Sequence, residues 1–553
     1  MSLRRGHRAL PGLVRALGSG TLSRREFMTH ATALGVTASV ANAVAGRPAD
    51  AQETARPARR AGGTLRIQQD VRPLKDPRTF DWSEIANVTR GWLEYLVEYR
   101  NDGSLRGMLL SDWEANDDAT GYTLWVREGV TWSDGTTFTA DDVARMFEYW
   151  CDASVEGNVM AASLSALVDP VTNKLRAGSV VVEDGAVRLI LPRPDATLIV
   201  SLADYPAAVV PPGFDAATML EDPVGTGPFR PEHVTPGESA ALVRAEDHRW
   251  WGEDLPEWGP ATLDRIEFVD LGTDPSTWID AIENERVDML YENVGRFVEA
   301  ADALGWERYE TPTAATVVLR GNQQAEVGGA TPYADIRVRE ALTLATDNAI
   351  CLELGYGGRG EVAANDHVAP IQPDHADLGP ARFDPDAARQ RVIQAGLQDF
   401  EHRIVTLDDG VARRTGAAIE ALLLDAGIPA TQEVLPGSRF WAEWKSFPLS
   451  ITEWNHRPLG VQTLALGYRT GAVWNESGYA NPDFDAALDR ALAIAEPEAR
   501  AEVMAELQGM LRANAVIVQP YWRSLIRHAR PDVVGAEMHP AFEIHLYRLG
   551  FSA

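Results

Sequence analysis

Few residues in this chain are spaced for chemistry. Cys151 and Cys351 are the two cysteines, and they match neither a zinc spacing nor a redox pair. An oxidising compartment would allow them to bond, but two separate buried thiols is the preferred reading. Gly355-Tyr356-Gly357-Gly358-Arg359-Gly360 fits GxGxxG. A dinucleotide site needs a strand before such a run and a helix after it. Here a helical pattern precedes it and no clear helix opens at Glu361, so it reads as a loop. His367 and His375 sit in a proline-rich stretch with no cysteine near and read as ordinary histidines, not metal ligands. There is no GxSxG, HExxH or Walker A pattern. No catalytic residue, metal or cofactor is therefore assigned, and the chain reads as a non-enzyme. A hydrolase built from distant carboxylates would leave no such motif and stands as the alternative.

Composition narrows the class. With 553 residues, 45% hydrophobic and 24% charged, the chain has an ordinary globular profile and can bury a large core. A net charge of −29 repels polyanions, so nucleic-acid binding is excluded. The N-terminus carries Ser23-Arg24-Arg25-Glu26-Phe27 ahead of a weakly apolar run, Ala31 to Ala45. Arg24 and Arg25 followed by Phe27 read as a twin-arginine export signal. The run is too short and too polar for a membrane span. Cleavage is expected after Ala43, Ala45 or Ala51, and no cysteine follows to take a lipid. A soluble periplasmic protein, not lipid-anchored, is the expectation.

The elements that must position any site are clearest from Ser111 to Trp150. Turn formers Asn116 to Gly121 precede Tyr122, Leu124 and Val126, which alternate with Thr123, Trp125 and Arg127 as in a half-buried strand. Ser133-Asp134-Gly135 makes a tight turn with Gly135 at positive φ. Thr139 reads as a helix N-cap with Asp142 closing a capping box. Val143, Met146, Phe147 and Trp150 then form one buried stripe. In its order and wording this stretch, SDWE…YTLWVREGVTWSDGTTFTADDV, resembles the signature of periplasmic solute-binding proteins of the oligopeptide/nickel class, the receptors of ABC importers. Asp222-Pro-Val-Gly-Thr-Gly-Pro-Phe229 is a second similar stretch, and Gly225 and Gly227 are expected to supply unusual dihedrals there.

The resemblance implies an α/β, two-lobed Venus-flytrap fold of the large three-subdomain type. Residues 1–51 would be the signal and 52–61 a linker. Lobe I would be 62–310 and 520–553, and lobe II 311–519, with a hinge near Glu310–Thr313 and Gln519–Trp522. Along the chain the expected elements include a first strand at Gly62–Ile67 and a helix over Ile85–Tyr99. A hairpin is expected about Glu183-Asp184-Gly185, one long helix over Ile336–Glu353, and a helix from Arg413 to Ala426 capped by Gly427. Implied partners are a peptide-like or anionic small solute, and permease and ATPase subunits of the inner membrane. A monomer is expected. A ligand-presenting signalling receptor is a further alternative.

Specificity is expected from Ser450-Ile-Thr-Glu-Trp454-Asn455-His456-Arg457-Pro458. In the family this strand enters the cleft with a tryptophan, and peptide binders place a carboxylate three residues later. Here Trp454 takes the first place and Arg457 the second, so the charge is reversed. A guanidinium grips carboxylate, sulfate or phosphate through paired hydrogen bonds. Two plainer readings stand beside this: Arg457 pairs with one of the chain's own acids, and Trp454 packs in the core. Asn455, His456, Trp474, Asn475 and Tyr479 complete the candidate set, as aromatics with adjacent polar groups suited to a pocket.

Overall fold

The computed structural model describes residues 59–553, apart from Thr273, Asp409 and Val473. The proposed signal, with Arg24 and Arg25, and most of the linker lie outside the described residues. Residues 61–550 form one compact unit; the second unit contains, of the described residues, 59–60 and 551–553. Within the second unit, Arg59–Arg60 is a strand, not a linker, and lies antiparallel to Phe551 and Ser552.

The main unit is built on a mixed sheet of twelve described strands. One end runs Phe229–Thr235, Ser239–Arg244, Arg265–Val269, Thr64–Gln68, Met289–Leu290. Two strands carry it through the middle, Tyr521–Ala529 and Glu307–Gly321. The far end is Leu449–Trp454, His402–Leu407, Ala430–Leu435, where His402–Leu407 runs parallel to both neighbours. Parallel strands buried on both faces read as apolar runs, and Ile404, Val405, Leu449 and Ile451 are buried here, with Ser450 buried between the last two. Helices Ile336–Ala345, Asn348–Tyr356 and Gly410–Asp425 cover that end through a core containing Val338, Leu342, Ile404, Ile419 and Ile451. No described helix is long and apolar enough to cross a membrane.

The Ser111–Trp150 region folds as its pattern demands. Leu110–Ala115 and Gly121–Val126 pair antiparallel, and Ala186–Ile190 and Val180–Glu183 extend them to four strands. Asp184 and Gly185, both at positive φ, close the outer hairpin. Helix Ala140–Trp150 starts with the full capping box between Thr139 and Asp142, and Val143, Met146, Phe147 and Trp150 are buried.

Several expectations fail for tertiary reasons. Ile85–Tyr99 is not one helix. It is helix Ser83–Thr89, a turn, then strand Val97–Tyr99. Gly91 lies in that turn, where a Cβ would lie 2.5 Å from Leu242 Cδ1. Ile336–Glu353 is two helices, since Asp347 accepts from Ala349 and Ile350 N–H and starts the second. Gly225 and Gly227 do not take positive φ; they are needed because a Cβ would lie 2.0 Å from Trp92 O and 2.5 Å from Gly91 O. The GxGxxG run is a helix C-cap, Gly357 at φ +68°, leading into strand Gly360–Val362. Cys151 and Cys351 are separate buried thiols, each pushed by burial to about 12.

Candidate ligand-binding site

Glu307–Gly321 and Tyr521–Ala529 pair on both sides of a register break between Pro312 and Thr316. The residues skipped there would leave backbone donors unpaired inside the protein. Thr313 Oγ1 accepts from Ala315 N–H (2.9 Å), and His456 Nδ1 accepts from Ala314 N–H (2.9 Å). The His456 proton therefore sits on Nε2, which faces Tyr99 Oη at 2.8 Å. Burial pushes the imidazole down to about 3, so it stays neutral. His456 thus clamps the strand break to Tyr99 at the place where strand Leu449–Trp454 has just ended.

From that clamp the chain continues through Arg457 and Pro458 into helix Gly460–Gly467, whose first amides donate to Asp374. Asn455, His456 and Arg457 line a cavity of about 230 Å³ with Trp82, Tyr205 and Phe542. Asp204 and Glu543 are in the same wall. Arg457 Nη1 lies 3.9 Å from Asp204 Oδ2, its guanidinium stands 5.7 Å from the Trp474 ring centre, and its Nε has no hydrogen-bond partner among the described residues. Enclosure raises the Asp204 carboxyl above its usual range, with Arg457 opposing. Glu543 goes the other way. Burial disfavours its charge, but Arg90 at 2.9 Å and the adjacent histidines outweigh it and hold the carboxyl at about 2.

The other candidates divide. Trp454 is buried, donates from Nε1 to Glu476 (3.1 Å) and packs against His367 and Trp474. Glu476 also pairs with buried Arg320 at 2.8 Å and accepts from Thr452. Trp454 thus belongs to a core network, while Trp474, 40% exposed, bridges it to Arg457. Asn475 donates its amide to the Arg469 and Tyr479 carbonyls, which shapes its own loop. Tyr479 is buried against Phe484 and accepts from Asn481. Asn475 and Tyr479 are therefore away from the cavity wall. His367 bonds Tyr468 at 2.6 Å within the core.

Asp204, Trp82, Tyr205, Phe542 and Glu543 were not singled out by sequence. They come from three distant stretches, and a long-range juxtaposition leaves no local signal. Among the described residues, His539, Glu543 and His545 place possible metal-ligating atoms within 4.8 Å of one another. His539 Nδ1 accepts from Ala541 and Glu543 N–H, its Nε2 donates to Tyr99 O, and Glu543 is paired with Arg90. That arrangement braces the cavity wall.

Comparisons with known proteins agree with this architecture. Residues 104–476 match the family "Bacterial extracellular solute-binding proteins, family 5 Middle". Heme-binding protein A of Haemophilus influenzae is 24% identical, over 76% of this chain and 79% of that protein. A glutathione-binding protein of Salmonella typhimurium is 22% identical, over 77% and 82%. The solved clavulanic acid biosynthesis oligopeptide binding protein 2 superposes with a TM-score of 0.77 at 23% identity, covering 90% of this chain and 97% of that one. The fold is the two-lobed α/β fold of these binding proteins, and the chain belongs to the bacterial extracellular solute-binding proteins of family 5.

Proposed function

We propose that this protein captures a small peptide-like or anionic solute in the cavity walled by Arg457, and releases it to permease and ATPase subunits of the inner membrane. Its family membership makes it the solute-binding component of an ABC import system, acting in the periplasm or outside the cell. The observation that carries the ligand reading is Arg457. A guanidinium with an unpartnered Nε and only a 3.9 Å contact to its carboxylate stands in the wall of a cavity lined by aromatics. Pockets of this composition are mostly apolar with a few directing polar groups.

In this reading lobe I is 62–310 and 520–553 and lobe II is 311–519. Closure is favoured only as far as the solute binds the closed form better than the open one. The register break at Pro312/Thr316, beside Trp522, supports a hinge near Glu310–Thr313 and Gln519–Trp522. Export by the twin-arginine route, without a lipid anchor, completes the proposal, on the strength of Arg24, Arg25 and Phe27. The protein works as a monomer.

A thermal-shift panel on residues 52–553, stripped of carried-over ligand by partial unfolding and refolding, tests the reading. A ligand at 100 times its Kd adds about 2.7 kcal/mol. Di- to pentapeptides, organic acids, acidic sugars, opines and nickel chelates form the panel. A shift with one class, weakened well over tenfold in affinity by Arg457→Ala at unchanged unliganded Tm, is the expected result. An Arg457→Ala protein that binds as well as the wild type would remove this residue from the site.

A further inference from the structure

The 230 Å³ cavity has a neighbour of about 790 Å³, lined by Ser163, Arg193, Ser201, Ala465 and Arg469 among others. Asp204, Arg457 and Gln462 line both. They form a wall between an inner chamber with aromatic lining and a larger outer one that mixes polar side chains with Pro194, Ala465, Leu466 and Leu492. The inner chamber is smaller than the roughly 300 Å³ at which drug-sized ligands begin, so it takes one end of a solute or a small side group.

Charge pairing separates the wall from its surroundings. In the inner chamber Asp81 pairs with Lys75 at 2.8 Å and Glu543 with Arg90 at 2.9 Å. In the outer chamber Arg469 pairs with Asp489 at 2.8 Å, while Arg193 and Asp195 are held by hydroxyl and amide groups, Arg193 donating to Ser165 at 3.0 Å and Asp195 accepting from Thr197. Arg457 and Asp204 are the loose pair. Their 3.9 Å separation is beyond hydrogen-bond length. Asp204 Oδ1 accepts from Tyr205 N–H (2.8 Å), which leaves Oδ2 toward Arg457.

We propose that Asp204 and Arg457 together recognise an α-amino-acid unit, one carbon bearing an ammonium and a carboxylate, whose substituent enters one chamber and whose extension, where it has one, enters the other. The proposal deepens the reading of this cleft as the solute site and rests on it. An anion drawn to Arg457 alone would lie beside the Asp204 carboxylate, and a cation on Asp204 alone would lie beside the guanidinium. Either arrangement leaves like charges adjacent in a half-buried site, and such repulsion is unfavourable. Ammonium on Asp204 and carboxylate on Arg457 instead close a ring of four alternating charges. The two chain ends of a linear peptide are too far apart to supply both at a 3.9 Å pair, so a peptide would have to bring one of the charges from a side chain. Asp204 is thereby the residue that turns an anion site into a zwitterion site.

Titration calorimetry with alanine, glutamine and phenylalanine, each free, N-acetylated and as the amide, tests this. At least one free amino acid should bind, and capping either end should weaken it at least tenfold. Asp204→Asn keeps an acceptor for Tyr205 N–H, so the fold is retained, which an unchanged Tm checks. This variant should lose the discrimination against the N-acetyl form. Arg457→Gln should lose the discrimination against the amide. Capped forms that bind wild type as well as the free ones would overturn the inference, as would discrimination that survives Asp204→Asn. If sugars or chelates bind and no amino acid does, this inference falls and the receptor reading stands. If no solute of any class binds, and none is released by denaturing the native protein, the receptor reading falls with it.

Discussion

Arg457 and His456 are adjacent in sequence and do different work. His456 is neutral and fully engaged, with one nitrogen on a strand amide and the other on Tyr99. Arg457 has a free donor and a distant partner. Both plain readings considered from sequence have a counterpart in the structure: Arg457 does face one of the chain's acids, and Trp454 does pack in a core. The acid, Asp204, was not legible because it lies some 250 positions away, on a turn that only folding brings near. Trp454 rests on Glu476, which is buried with Arg320. Removing one partner of a buried pair leaves an uncompensated charge and costs about 3–5 kcal/mol. Arg320→Met should lower the unfolding free energy measured in urea by that amount, and a value within error of wild type would show that the network relaxes.

Glu94 makes a pH prediction. Trp250 and Trp251 donate indole N–H groups to it at 2.8 and 2.6 Å, yet burial prevails and pushes the carboxyl up to about 7 from 4.5. A carboxyl raised on folding favours the native state at low pH, and that contribution is lost as pH rises from about 4.5 through about 7. The swing is on the order of 3 kcal/mol. Glu94→Gln should therefore flatten the fall in stability across this window, whatever its effect on absolute Tm. Equal slopes in the two proteins, measured by calorimetry from pH 5 to 8, would show that Glu94 does not titrate there.

At the level of elements, local chemistry was readable and tertiary packing was not. The capping box at Thr139, the Asp184-Gly185 turn and the Gly427 cap, at φ +72°, were visible because each is written in neighbouring residues. The contact of Gly91 with Leu242 and the close approach of Gly225 and Gly227 to Gly91 and Trp92 were not, because they are contacts between segments over a hundred residues apart. The split of Ile336–Glu353 was written locally, in Asp347, but helical periodicity outweighed it. Two glycines separate these effects. Gly225→Ala would put a methyl 2.0 Å from a carbonyl oxygen and should cost at least the 1–3 kcal/mol of overpacking. Gly509, inside helix Pro497–Ala513, meets no atom within 4 Å, and Gly509→Ala should stabilise by about 0.5–1 kcal/mol. Thermal melts of the two variants should move in opposite directions.

For the whole molecule, the strongest signals were the ones tied to class. The Ser111–Trp150 wording led to an extracytoplasmic receptor, and the family assignment agrees, while the acidic composition argued against nucleic acid. The solute was not legible, since Arg457 alone indicated an anion and its opposite number had to be seen in three dimensions. Routing belongs to this scale as well. Arg24→Lys with Arg25→Lys should retain the precursor in the cytoplasm by fractionation, and continued export would point to another route.

A crystal structure of the protein with the solute selected by the thermal-shift panel bears most directly on the cleft. Density bridging Asp204 and Arg457, with a group among Trp82, Tyr205 and Phe542, is the expected result. Solute bound elsewhere, with the Asp204–Arg457 contact untouched, would contradict it.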